Sequence, residues 1–226
     1  MRNYCQSLVD LSSSYEAVVP ERVRQRYSWA ETRSAAAILA ATNPQQFAQL
    51  VAVLDRFAVD EERDIRPAGG NESDTAAVLN EGFRSLGWRE GDYNVRVISL
   101  LRRLPYSPAG ERSPVEEETV ISSPSYLVDN ISARVALDVE WHAKDGNLDR
   151  DLAAYRSLYE SGIIDVAVMV TMVRSEMREW AVRLDPNSTK FKTTTTTNLE
   201  KLIPRLTRGD SGGCPVLVVA ISSATR

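Results

Sequence analysis

The run Ile163-Ile164-Asp165-Val166-Ala167-Val168-Met169-Val170-Thr171 is nearly continuous in apolar residues, the pattern of a central strand buried on both faces. Strands of that kind belong to sheets covered by helices, so the residues before it decide the topology. Lys144-Asp145-Gly146-Asn147 reads as a turn, with Asn147 as a helix N-cap. Leu148, Leu152, Tyr155 and Tyr159 follow at i, i+4, i+7 and i+11, one apolar helical stripe, and Ser161-Gly162 closes the segment. Upstream, Arg134 to Trp141 alternates apolar with polar and reads as a strand. Strand, helix and strand make a βαβ unit, whose crossover is expected to be right-handed. The fold class is α/β: a mixed central sheet flanked by helices.

Alternation places Val135, Leu137 and Val139 on one face of the first strand and Ala136, Asp138 and Glu140 on the other. Asp129 ends the short arm Ser125-Tyr126-Leu127-Val128-Asp129, which a hairpin would fold back beside Asp138. Three carboxylates brought together suit a hard divalent cation such as Mg²⁺. Without one they are costly to bury, because like charges raise each other's pKa. A strand face with two acids also occurs as plain solvated surface. The spacing, Asp129, eight residues, then Asp138-Val139-Glu140, resembles the PD-(D/E)xK nuclease signature.

The rest of the chain supplies the surroundings. Residues 1–65 read as helical. Ser34 to Ala41 is rich in helix formers, and Thr42-Asn43-Pro44 stops that helix and starts another, with Asn43 as N-cap and Pro44 at the first helical position. Phe47, Leu50, Val51, Leu54 and Phe57 form an amphipathic stripe, for the core or a dimer face. Pro67 to Asn71 is a loop, and Ser73 or Asp74 caps a further helix that Gly87 ends. Glu81 in that helix is a possible auxiliary acid near the metal site. A strand is expected around Asn94 to Leu101, a polar loop over Pro105 to Glu118, a short helix over Leu199 to Leu206 and a last buried strand over Pro215 to Ile221. In 185–210, Lys190, Lys192, Lys201, Arg205 and Arg208 outnumber Asp185, Glu200 and Asp210. Lys190, Lys192 and the tract Thr193-Thr194-Thr195-Thr196-Thr197 suit contacts to phosphates and base edges.

Composition excludes a few classes. No run approaches the length of a membrane span, and Met1 to Gln6 lacks the apolar core of a secretory signal. Cys5 and Cys214 are too few and too far apart for a metal site or a disulfide framework, so a cytoplasmic location is expected. The net charge of −4 argues against a non-specific nucleic-acid binder but not against a nuclease, whose phosphate contacts need only a local basic surface.

Taken together, Leu79-Asn80-Glu81-Gly82-Phe83 with Gly87-Trp88, then Asp129, Val135 to Glu140, Ile164 to Val168 and Gly213-Cys214-Pro215-Val216-Leu217-Val218 resemble the BglII and BstYI group of type II restriction endonucleases. The likeness covers roughly residues 73–221. It implies a restriction-endonuclease-like core within a single nuclease domain spanning 1–226, with 1–65 as a helical N-terminal part. It also implies a homodimer cutting double-stranded DNA at a short palindromic site with Mg²⁺, and a cognate DNA methyltransferase protecting host DNA. On the motif, Asp129, Asp138 and the carbonyl of Val139 hold the metal. Glu140, standing where the superfamily often has lysine, positions or deprotonates water. Lys144 is a possible auxiliary residue that neutralises phosphate charge, and His142, the single histidine, is a weaker candidate. Two other readings use the same acids: a structure-specific repair or junction nuclease, and a non-catalytic DNA-binding protein with vestigial acids.

Overall fold

The computed structural model describes residues 8–66, 74–122 and 126–226; Cys5, the loop at Pro67 to Asn71, Ser73 and Ser125 lie outside them. The strands are β1 Leu11–Ser12, β2 Tyr27–Thr32, β3 Arg89–Tyr93, β4 Arg96–Arg103, β5 Val115–Ser122, β6 Tyr126–Ser132, β7 Val135–Val139, β8 Val166–Met172 and β9 Val216–Ile221. The helices are α1 Tyr15–Val18, α2 Glu21–Arg24, α3 Ala35–Thr42, α4 Pro44–Arg56, α5 Asp74–Arg84, α6 Gly146–Glu160, α7 Arg174–Leu184 and α8 Leu199–Arg208, with a π-helical turn at Glu61–Ile65. Among the described residues, seven strands form one mixed sheet in the order β1-β2-β9-β8-β7-β6-β3.

At its centre, β7, β8 and β9 run parallel, with Leu137 opposite Val168 and Val168 opposite Leu217. All three are buried along their whole length, as an apolar run between helix layers requires. The helix α6 links β7 to β8, so the expected βαβ unit is present. Its start differs in detail: Asp145 occupies the cap position without a side-chain bond, and Asn147 falls inside the first turn.

One face of the sheet carries Val135, Leu137 and Val139 of β7 into a large apolar cluster with Leu39, Leu54, Leu79, Phe83 and Trp88. Those residues come from α3, α4, α5 and the turn after it, so the N-terminal helices cover this face of the core. The Ala-rich α3 stops at Asn43 and Pro44 opens α4 as expected. Asn43 does not cap with its side chain; it donates instead to Asp165 Oδ2 at 3.1 Å.

The N-terminal part is not helical throughout. Tyr27–Thr32 forms β2, which pairs antiparallel with β9 and so belongs to the central sheet. The six-residue segment mixes Ser28 and Glu31 with aromatics, and it lacks the alternation that marks a strand from sequence. Its register is fixed by tertiary bonds. Glu31, fully buried, accepts from the Ser14 backbone N–H, from Ser14 Oγ at 3.0 Å and from the Ala36 N–H at 2.7 Å. One carboxylate thus ties the start of α1 and the first turn of α3 to the sheet.

The chain folds as two compact units, residues 1–91 with 128–226, and residues 92–127. Within the smaller one, β4 and β5 form an antiparallel hairpin with Arg96 opposite Ser122 and Arg103 opposite Val115. Cross-strand ion pairs Arg102–Glu116 and Arg103–Glu117 run along it at 3.3 and 2.7 Å. The expected polar loop over Pro105 to Glu118 is therefore shorter: Val115 to Glu118 are already strand, because each finds a partner on β4.

Replacing Glu31 with alanine leaves three donors without their acceptor. A loss of roughly 3–5 kcal/mol is expected, read by urea denaturation. A loss below about 1 kcal/mol would show that water satisfies these donors instead.

Candidate active site

The hairpin β6–β7 and the helix α6 build the site. Ser132 pairs with Val135 and Asn130 with Leu137, so the ladder continues to bring Asp129 beside Asp138. The two aspartates bond crosswise to backbone. The Asp129 N–H donates to Asp138 Oδ1 at 2.7 Å, and the Val139 N–H donates to Asp129 Oδ2 at 3.1 Å. Glu140 lies one residue past β7. Its N–H donates to the Val170 carbonyl at 2.8 Å, and its carbonyl accepts from Thr171 Oγ1 at 3.0 Å and Thr197 Oγ1 at 3.2 Å. The acid is held by its main chain on both sides.

Asp151, which motif spacing does not single out, completes the cluster from α6. Asp138, Glu140 and Asp151 are 4%, 6% and 2% exposed, so all three carboxylates are withdrawn from water, close enough for their charges to act on one another. Arg150 Nε and Nη2 both bond Asp151 Oδ1 at 3.0 Å. One turn further along α6, the buried Tyr155 hydroxyl reaches the Val168 carbonyl at 3.2 Å and hydrogen-bonds the Asp138 side chain. A signal for Asp151 exists in the sequence: at i+3 from Leu148 it falls inside the apolar stripe, where a carboxylate is out of place.

Burial sets the electrostatics. It pushes Asp138 up to about 8 and Glu140 to about 9, with the charges of Asp151 and Asp129 adding to the rise at Asp138 and those of Asp151 and Asp138 at Glu140. Burial also raises Asp129, opposed by the bond from Val139 and by the charges of Arg84 and Arg150. Asp151 is raised by burial despite Arg150. Tyr155 lies well above its usual value, from burial and the neighbouring acids, and so keeps its proton. Glu140 Oε2 and Asp151 Oδ2 are buried, and among the described residues no donor side chain or backbone group bonds them. A buried carboxylate oxygen without a donor calls for a proton or a cation.

The other residues singled out by sequence are placed as follows. Glu81 is exposed on α5, whereas its neighbour Asn80 is buried and accepts from Asn130 Nδ2 at 2.7 Å. Lys144 is exposed, and its backbone bridges to Thr196. His142 has φ 56° and sets its ring edge-on to Phe191, with centroids 5.2 Å apart. The threonine tract divides: Lys192, Thr193, Thr194 and Thr195 are exposed, while Thr196 and Thr197 are buried. Thr197 receives the Ala143 N–H on its hydroxyl at 3.1 Å and donates to the Glu140 carbonyl, so it supports the acids from behind. Lys190 is half-buried over the Phe191 ring, 5.5 Å from its centroid.

Among the described residues, no group of three or more His, Cys, Asp or Glu side chains stands ready to enclose a metal ion, and no helix is long and apolar enough to cross a membrane. Cys214 is buried and free.

A mixed sheet flanked by helices, with buried acids gathered where a hairpin meets the parallel strands, is a restriction-endonuclease-like architecture. Residues 27–221 match the family model described as restriction endonuclease BglII/BglIII. The chain belongs to that family of restriction endonucleases, which act on double-stranded DNA. No curated protein matches it.

The acid cluster predicts a pH dependence of folding. A carboxyl whose folded pKa, about 8 for Asp138, stands above its ordinary 3.8 contributes stability that is complete below the ordinary value and is lost as pH climbs through the folded one. In EDTA, the melting temperature is expected to fall by roughly 5 °C or more between about pH 5 and pH 9. Asp138→Asn should flatten that fall. His142, held low by burial and by Lys190, works oppositely but is common to both proteins. Equal slopes in the two proteins would exclude Asp138 as the source.

Proposed function

We propose that this protein is a type II restriction endonuclease. In this reading it hydrolyses both strands of DNA at a short palindromic site with Mg²⁺, leaves 5′-phosphate ends and acts as a homodimer. Its host would carry a cognate DNA methyltransferase in the same cytoplasm. The observation that carries the reading is the pair of buried acids Asp138 and Glu140 at the end of β7, with the half-buried Asp129 of β6 beside Asp138 and, among the described residues, no donor to Glu140 Oε2.

The donor set fits the ion chemically. All the side chains are hard oxygen donors, and Mg²⁺ is commonly held by only one or two carboxylates, with water and substrate phosphate completing its shell. Enclosure by three side chains is therefore not required. Asp129, Asp138 and the Val139 carbonyl would hold the ion, which when bound supplies charge for the phosphoryl oxygens and acidifies a water. Glu140 orients the attacking water and accepts its proton. Tyr155 fixes the Asp138 carboxylate from α6, and Thr171 and Thr197 fix the Glu140 main chain. Exposed Lys192 and Thr193 to Thr195 would meet the DNA, with Lys190 beside them, whereas Thr196 and Thr197 serve the scaffold. Glu81 and Lys144, both exposed, would act at most on the rim.

The test is digestion of a plasmid rich in short palindromes, with Mg²⁺ and with EDTA, by the wild type and by Asp138→Ala. Discrete fragments that require Mg²⁺ are expected, with the rate cut at least about 100-fold in the variant. A folded wild type that cuts no duplex would overturn the proposal.

A further inference from the structure

The four carboxylates are not equivalent. Asp138 Oδ1 and Asp129 Oδ2 each already accept a backbone N–H, at 2.7 and 3.1 Å. Those bonds satisfy part of each carboxylate and lock it to the β6–β7 hairpin. Glu140 and Asp151 are different. Their carboxyl groups lie within hydrogen-bonding reach of each other, and Glu140 Oε2 and Asp151 Oδ2 are buried with no donor among the described residues. Arg150 takes only Asp151 Oδ1, by both Nε and Nη2. The charge deficit of the cluster is therefore concentrated on one side, between the strand end and α6.

We propose that Glu140 and Asp151 form a second divalent-cation site, separate from the one assigned to Asp129 and Asp138. Asp151 is its defining residue. One carboxylate oxygen from each residue would make up the protein's share of an octahedral Mg²⁺ or Mn²⁺ shell, the rest being water and phosphate oxygens. The geometry explains two oddities at once. Asp151 sits on the buried face of a helix otherwise lined by Leu148, Leu152 and Tyr155, a costly position unless something cationic joins Arg150. Glu140 Oε2 is buried with no donor among the described residues, and a cation held between Glu140 and Asp151 supplies its missing partner. In two-metal phosphodiesterases the paired ions stabilise the attacking and leaving oxygens, so the inference rests on the nuclease reading and deepens it.

The experiment is calorimetric titration of the full chain with Mn²⁺ alone, without DNA, for the wild type, Asp151→Asn, Glu140→Gln and Asp129→Asn. Two Mn²⁺ per wild-type chain are expected, and one for each variant. Asp151→Asn and Glu140→Gln should lose the same binding event, and Asp129→Asn the other. Asp151→Asn is nearly isosteric and keeps an oxygen for Arg150, so in EDTA it should melt no lower than the wild type; Glu140→Gln repeats the test from the other side of the pair. A wild type that binds a single Mn²⁺ or none overturns the second site, as does Asp151→Asn binding as many ions as tightly as the wild type. Plasmid cleavage measured in parallel separates the two ideas. Cutting by the wild type with an unchanged Mn²⁺ count in Asp151→Asn sinks the second site and leaves the nuclease reading standing. Loss of one Mn²⁺ in Asp151→Asn with no cutting by the wild type keeps the site and removes the nuclease reading.

Discussion

Burying carboxylates beside one another is the constraint on which the rest of this structure turns. Asp138, Glu140 and Asp151 are each almost fully withdrawn from water, and the only ion pair among them within the described residues uses Arg150, whose side chain is half exposed. Each charged acid in such a place costs several kcal/mol unless it is compensated. A fold that tolerates this arrangement must hold the acids rigidly, since small relaxations would let them separate and reach water. The surroundings show how that is done. Every acid is anchored: Asp129 by the backbone of β7, Asp138 by the backbone of β6 and by Tyr155, Glu140 by its own main chain bonded to Val170, Thr171 and Thr197, and Asp151 by Arg150.

The division of labour between the two faces of the sheet follows from the pleat. Val135, Leu137 and Val139 point into the apolar cluster made with the N-terminal helices, and that packing pins β7 in register. The alternate residues then have no choice of direction. Asp138 and Glu140 must meet α6, and α6 cannot retreat because Leu148, Leu152 and Tyr155 are buried on the same side. Stability built on one face thus offsets an electrostatically unfavourable arrangement on the other. The two ends of the βαβ unit are stitched as well: Arg134 pairs with Asp165 at 2.8 Å and donates to the Gly162 carbonyl at 2.7 Å.

The elements legible in the sequence are those with strong local periodicity. The strand β8, the helix α6, the strand β9 and the hairpin placing Asp129 beside Asp138 all follow from alternation or helical stripes, because in each the buried face is continuous. The strand β2 is not legible, since its place in the sheet is decided by Glu31 meeting Ser14 and Ala36 across the fold. Asp151 escapes notice for a related reason. Periodicity shows which face of α6 is buried, but the pairing of a charged residue on that face with Glu140 is a tertiary fact. The smaller hairpin of β4 and β5 is only half visible, because Glu116, Glu117 and Glu118 read as loop until their partners on β4 are known.

The threonine tract shows how one composition can carry two physical roles. Five identical side chains in a row give sequence reasoning no way to distinguish them. The backbone does: the bridge between Lys144 and Thr196 turns the tract's last two members inward, while Thr193 to Thr195 remain in solvent. Once inside, the hydroxyl of Thr197 has a donor and an acceptor to satisfy, and it finds both in the segment that carries and follows the acids, the Glu140 carbonyl and the Ala143 N–H. The segment carrying Lys192 is thereby tied through Thr197 to the main chain of Glu140. Any displacement of the exposed threonines by a bound duplex would be transmitted along a short, hydrogen-bonded path to the residue proposed to orient water. In the proposed reading, recognition and chemistry are in direct mechanical contact through the backbone, with no need for a mobile lid.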